Sequence, residues 1–133
     1  MVKKLYLGVD VGTYETKGVL VDIEGVIHNQ ASIKHEMIVP NPGWAEHDPI
    51  DVWWGDFVKI SKKLLNKKNI LPNQIACVAV SAIGPCMLPI DINTKPLYPG
   101  ILYGVDTRAT KEINFLNKSI GEEKIFTFGG NTL

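Results

Sequence analysis

The sequence predicts an α/β domain built on a mixed sheet, and three observations carry that expectation. Leu5, Leu7, Val9 and Val11 alternate with Tyr6, Gly8 and Asp10, the period-two pattern of a strand buried on one side. Further strand-like runs come next through links too short for a crossover, so the opening strands read as a three-strand antiparallel meander. A helical stripe and then a short, almost wholly apolar run succeed them, supplying a helix layer and a well-buried strand.

Taken in order, the first strand covers residues 5–11. The second is "GVLVDI", residues 18–23, and Gly25 turns the chain into a third over roughly residues 26–35. "PNPGWAEHDP", residues 40–49, holds three prolines and a glycine and reads as a loop. A helix starts after it, because Asp48 can cap, Pro49 suits the first helical position and Asp51 adds negative charge to the first turn. Ile50, Trp53, Trp54, Phe57, Val58, Leu64 and Leu65 recur at helical spacing and form the face that covers the sheet, while Lys59, Lys62, Lys63, Lys67 and Lys68 form a solvated one.

"QIACVAVSAI", residues 74–83, is the strand expected to be most deeply buried. "MLPID", residues 87–91, pairs with it or comes after it as a short strand, and "DINTKPLYPG" reads as turn and loop. Residues 106–119 look helical, with Ala109, Ile113, Phe115 and Leu116 inward, whereas the closing "FTFGGNTL" has no clear cap or polar tail.

Composition narrows the partners. Lys plus Arg and Asp plus Glu are 14 each, so no global field recruits nucleic acid or an acidic membrane, and any anion site must be local. The 133 residues fit one domain, which would bury about two-thirds of the surface its unfolded chain exposes. No apolar run approaches the ~20 residues of a membrane span, and the amino terminus is no signal peptide, so a cytoplasmic protein is expected. Cys77 and Cys86 lack the spacing of a redox or zinc site and are expected to be buried and reduced. His28, His35 and His47 stand in isolated strand or loop contexts without metal spacing and are expected to be surface or hydrogen-bonding residues.

The chemistry lies in "GVDVGTYETK". In an extended chain Gly8 and Gly12 flank Asp10 on its own face, which leaves room for a bulky polar ligand beside the carboxylate. Gly12 and Thr13 open a tight turn whose N–H groups, with the Thr13 hydroxyl, could cradle phosphate oxygens. Asp10 would repel a bare phosphate, so a cation between them is needed, Mg²⁺ with its water shell being the natural one, and Lys17 would add a compensating charge. A plain strand end and hairpin accounts for Asp10 and Thr13 equally well on spacing alone. Neither G-x-x-x-x-G-K-[ST] nor G-x-G-x-x-G is present.

"GVDVGTYETK", "PGWAEHDPIDVWW", "SAIGPCMLPID" and "PLYPGILYGVDTRA", in that order, resemble the amino-terminal part of the FGGY carbohydrate kinases, from about residue 5 to the end. The first motif is common to actin-like and hexokinase-like ATPases; "GWAEHDP" before a Trp-bearing helix is far more specific to this family. The resemblance implies an RNase H-like (actin-like ATPase) fold, α/β with helices added to a mixed sheet whose later strand is parallel. It implies an ATP- and Mg²⁺-dependent phosphotransferase acting on a small carbohydrate, with Asp10 near the metal and Gly12, Thr13 and Lys17 around the γ-phosphate. Ile83, Gly84 and Pro85 fall where such kinases grip the sugar, and they lack the polar side chains that xylulokinases and glycerol kinases carry there. Tyr103, Asp106 and Arg108 fall in the cleft as well, although a turn followed by a helix cap explains them equally.

By the same resemblance, residues 1–133 correspond to the amino-terminal part of the first kinase domain, with the phosphate site and part of the sugar cleft. The base that accepts the hydroxyl proton and the adenine pocket would lie beyond it, so this piece alone is expected to be catalytically silent, and a homodimer of the full-length protein is compatible with the family. The competing expectation is a non-catalytic actin-like binding or regulatory module. A chaperone-like ATPase would share "DVGT" but gives no reason for "GWAEHDP".

Overall fold

The computed structural model describes residues 3–66 and 70–133; Lys67 and Lys68, expected on the solvated helix face, lie outside the described residues. Three strands open the chain, β1 (Leu5–Val11), β2 (Glu15–Val21) and β3 (Ile27–Lys34). After a loop come β4 (Glu46–His47), a π-helical turn (Pro49–Trp54) and α1 (Gly55–Leu65). A short 3₁₀ turn leads into β5 (Ile75–Ala82), then β6 (Gly100–Ile101), α2 (Thr110–Ile120) and α3 (Glu122–Gly129).

The main sheet has the order β3-β2-β1-β5, antiparallel through the meander and parallel between β1 and β5. β4 and β6 form a separate antiparallel pair. β2 starts earlier than its apolar run because Glu15, Thr16 and Lys17 already pair with β1 or β3. It stops at Asp22, whose carboxylate accepts from the Glu24 and Val26 N–H groups and meets His28 and Lys3. Those contacts, His28 foremost and Lys3 next, hold the Asp22 carboxyl well below the usual carboxylate range.

The alternation of β1 is realised. Leu5, Leu7, Val9 and Val11 are buried, and Leu7, Val9 and Val11 join Leu20, Ile60 and Leu64 in the core, with Trp53 and Phe57 packed against them. Burying one such side chain contributes roughly 1.5–3 kcal/mol, so this face decides which way β1 turns. The helix stripe is shifted from expectation: Ile60 is fully buried, whereas Ile50 and Trp54 are more than half exposed. The wider π turn at Pro49–Trp54 rotates the first residues away from the sheet before α1 takes up its regular period. Asp48 does cap, its Oδ1 accepting from the Ile50 and Asp51 N–H groups at 2.8 Å each.

Other expectations are corrected. β5 pairs along its whole length with β1 yet is exposed over most of it, since α1 packs over β1, β2 and β3 and leaves this flank uncovered. Cys77, on β5, is therefore exposed and Cys86 only half-buried; both are free thiols. Residues 87–91 form no strand with β5, because Met87 bridges to Ile101 and Ile90 to Pro96, with Pro89 between them unable to donate to a ladder. The helix expected over 106–119 begins only at Thr110, because Asp106, Thr107 and Arg108 are bonded into the loop structure ahead of it. The chain end is helical, with Gly130 in a left-handed conformation at the carboxyl cap of α3. Of the surface or hydrogen-bonding roles expected of the histidines, His35 and His47 take the second: His47 is fully buried, the His35 side chain nearly so, and both are hydrogen-bonded.

Gly100, on β6, lies directly against the Trp53 ring of the π turn. A Cβ there would overlap the Trp53 ring, whose Nε1–H donates to His47 Nδ1 at 3.1 Å and which therefore cannot swing away freely. Gly100→Ala is expected to lower unfolding stability by about 2 kcal/mol through overpacking, read as a lower urea midpoint at unchanged slope.

Candidate functional site

The face of the sheet opposite α1 is a groove of about 760 Å³. Strand register builds its polar floor: Asp10 on β1 stands opposite Lys17 on β2 and Ser81 on β5, and Lys17 stands opposite Ser32 on β3. These four side chains thus cross the sheet in one row, because residues paired in register share a face. The neighbouring row is Gln30, Val19, Gly8 and Ala79, so Gly8 leaves the floor low beside the carboxylate.

Asp10 is exposed and has no hydrogen-bond or ion-pair partner among the described residues. Lys17 is also open, its side chain 65% exposed and its Nζ 3.7 Å from Glu15 Oε2. The Glu15 carboxyl is held below its usual range, first by a hydrogen bond from Ser32 and then, against a desolvation effect, by the charges of Lys17 and Lys34.

The turn after β1 closes through the Gly12 N–H, which donates to the Glu15 carbonyl at 3.1 Å. A Cβ on Gly12 would lie only 3.0 Å from that oxygen, so a side chain there would open the turn. His35 supports it from behind. Its backbone N–H donates to the Tyr14 carbonyl at 3.0 Å and its Nε2 lies 3.1 Å from the Gly12 carbonyl oxygen, while Nδ1 lies 3.0 Å from Asp56 Oδ2. Asp56 also pairs with Lys59 at 3.0 Å. His47 packs edge-on against the His35 ring, with 5.0 Å between centroids. Burial first, and the His35 charge second, lower the His47 pKa below 6.5; the Thr13 backbone and Asp56 oppose this.

Ile83, Gly84 and Pro85 continue from the end of β5 beside this turn, the Ile83 N–H donating to the Val11 carbonyl at 2.8 Å. They put the two parallel strands' carboxyl ends together, the usual mouth of a ligand crevice in α/β folds. Tyr103 is half-exposed on the second sheet's side of the molecule. Asp106 and Arg108 are bonded within the protein. Asp106 Oδ2 accepts from the Ala45 N–H at 2.7 Å, and Arg108 grips Asp106 through Nε and Nη2 and reaches Glu46 Oε1 at 2.8 Å. The Arg108 guanidinium lies 4.1 Å over the Trp44 ring. The Arg108 contact, above all, holds the Asp106 carboxyl down at about 2. Neither residue lines the groove around Asp10.

Sequence reasoning missed the His35–His47–Asp56 cluster. One signal was available: Asp56 lies three residues after Trp53 and four before Ile60, a carboxylate on the helix face that packs on the sheet, where it needs partners.

The mixed sheet, with its glycine-flanked carboxylate and tight turn at the mouth of the parallel strands, has the actin-like ATPase fold of the solved kinases it superposes on. The family pattern described as the FGGY family of carbohydrate kinases, N-terminal domain, matches residues 5–133, and the chain belongs to that family. It is 30% identical over 101 residues to glycerol kinase 2 of Thermotoga maritima, covering 75% of this chain and 20% of that protein. Among solved structures it resembles the xylulose kinase of Rhodospirillum rubrum (TM-score 0.83, 25% identity, 92% of this chain and 25% of that one). It also resembles the glycerol kinase of Plasmodium falciparum with ADP (TM-score 0.76, 26% identity, 93% and 25%). The chain therefore spans about a fifth to a quarter of the length of these relatives.

Proposed function

We propose that the whole protein transfers the γ-phosphoryl group of ATP to a hydroxyl of a sugar, sugar acid or polyol, and that this domain contributes the phosphate end of the site. The observation that carries the reading is Asp10, an exposed carboxylate without a protein partner at the mouth of the Gly12 turn, in line with Lys17. A structural carboxylate would have bonded to its surroundings as Asp22 and Asp106 do.

Mg²⁺ fits this donor set as a nucleotide-borne ion. No group of three or more His, Cys, Asp or Glu residues among those described could cage a metal, whereas one open carboxylate beside phosphates and waters is how Mg²⁺ is usually held. Asp10 would hold the ion, which when bound neutralises charge on the transferring phosphoryl group. The Thr13 N–H, on the peptide that joins it to Gly12, and the Thr13 hydroxyl would donate to phosphate oxygens, and Lys17 would add a point charge from the sheet floor. Ile83, Gly84 and Pro85 would form one wall of the acceptor subsite; having no hydrogen-bonding side chains, they would shape it sterically and leave hydroxyl recognition to other residues. The proton-accepting base and the adenine pocket would come from the rest of the protein.

The reading is tested by measuring ADP production by the full-length protein with MgATP and a panel of ketoses, sugar acids and polyols. Acceptor-dependent turnover with at least one of them is expected, and none with any would remove the kinase reading. No helix among the described residues is long and apolar enough to cross a membrane.

A further inference from the structure

Resting on the kinase reading, we propose that His35 is a positioning residue for the phosphate turn: backed by Asp56, its ring holds the Gly12 carbonyl inward and so aims the Thr13 N–H outward, toward the nucleotide phosphates. The peptide unit fixes these directions. In a planar trans peptide the C=O of one residue and the N–H of the next point in opposite directions. The Gly12 carbonyl is directed at His35 Nε2, 3.1 Å away, so the Thr13 N–H faces away from the protein interior behind the turn. That N–H has no acceptor among the described residues, whereas the Gly12 N–H is already bonded to Glu15. The turn therefore presents a free donor on the one peptide unit whose carbonyl the His35 ring holds.

The ring that makes this bond is itself held on several sides. Both of its nitrogens face oxygens, the Gly12 carbonyl 3.1 Å from Nε2 and the Asp56 carboxylate 3.0 Å from Nδ1, so the ring is clamped between the two. Lys59 Nζ meets the other carboxylate oxygen, Asp56 Oδ1, at 3.0 Å and fixes its orientation. The His35 and Asp56 side chains are only 6% and 3% exposed, which shields the pair from water. His47 closes the remaining side edge-on. Its Nδ1 accepts from Trp53 Nε1, and burial, the largest cause, lowers its pKa. A line of contacts thus runs from the amino-terminal turn of α1, through Asp56 and His35, to the backbone that meets phosphate.

The role predicts a particular kinetic signature. A donor aimed at phosphates before and during transfer contributes to binding in both states, so its loss raises KM for MgATP and leaves kcat nearly alone. In the full-length protein, His35→Phe keeps a ring and removes both nitrogens, and His35→Gln can still reach Gly12. For His35→Phe we expect KM for MgATP to rise about tenfold, kcat to stay within about twofold and the acceptor KM not to move. Without nucleotide, amide hydrogen exchange of the segment containing Gly12 and Thr13 should speed up about tenfold or more, and His35→Gln should recover part of both effects. If His35→Phe does not fold, His35→Gln alone must show smaller changes of the same kind. An active wild type beside a folded variant with unchanged MgATP KM and unchanged exchange overturns the proposal alone, as does an effect confined to kcat or to the acceptor KM. A wild type that transfers phosphate to no acceptor removes the kinase reading, and the role of His35 toward phosphate with it.

Discussion

Asp10→Ala in the full-length protein is expected to lower kcat about a thousandfold with the best acceptor, while the unfolding midpoint stays at the wild-type value. The size reflects removal of a fixed charge that positions the ion where phosphoryl charge redistributes, an effect typically of 10²–10³ or more. The unchanged midpoint reflects the surroundings of Asp10: its side chain is exposed and, among the described residues, has no hydrogen-bond or ion-pair partner, so its removal leaves no orphaned group. Asp10→Asn, which keeps the shape but not the charge, should be impaired to a similar degree. Wild-type turnover in either variant would remove the metal assignment, and a folding loss would return Asp10 to the role of a hairpin residue.

Arg108→Ala is expected to act in the opposite manner, costing about 3 kcal/mol of stability and changing turnover only through the folded population. Arg108 is the shared cation of two nearly buried carboxylates, Asp106 and Glu46, whose side chains are 5% and 4% exposed. Removing one partner of such a cluster leaves uncompensated charge in a poorly solvated place, which is worth several kcal/mol; Arg108 itself is 17% exposed, so water softens the loss. The pH dependence has a definite sign. Asp106 titrates near 2 in the folded protein and near 3.8 unfolded, so it adds stability above pH 4 that is lost as pH falls toward 2. In Arg108→Ala that acid-side slope should shrink, because the contact that depresses the Asp106 carboxyl most is gone. Denaturant melts of both proteins between pH 2 and 6 would show it. A variant of full stability with a raised acceptor KM would instead make Arg108 a cleft residue.

These opposite outcomes show what the sequence could and could not reveal. The meander, the buried face of β1 and the cap at Asp48 were legible because each depends on neighbours a few residues away. So was the grouping of Asp10, Gly12 and Thr13, which lie in one short stretch. The mistaken burial of β5 came from reading apolar side chains as buried ones: Val78 and Val80 are apolar and half-exposed, since no described element packs over them. The Arg108 cluster and the His35–Asp56 pair were illegible for another reason. Their partners, Glu46 and Ala45 in the first case and Gly12 in the second, are far off in sequence and meet only when sheets and helix are assembled.

The placement of β1 between an immediate neighbour and a distant one has a consequence for how the domain comes apart and how it can change. Pairing β1 with β2 and β3 closes only short loops, whereas pairing it with β5 requires α1 and its connections to be gathered first, at a larger cost in chain entropy. The meander with α1 is thus expected to behave as one cooperative unit, and the chain beyond β5, with β5 itself exposed over most of its length, to show the faster amide exchange. The turn at Gly12 belongs to the first unit and Ile83, Gly84 and Pro85 hang from the second. On the proposed kinase reading, the grip on the phosphate donor would be anchored in the meander and the wall facing the acceptor would hang from β5, so that mutations after β5 are expected to reshape the wall without loosening the hold on the nucleotide.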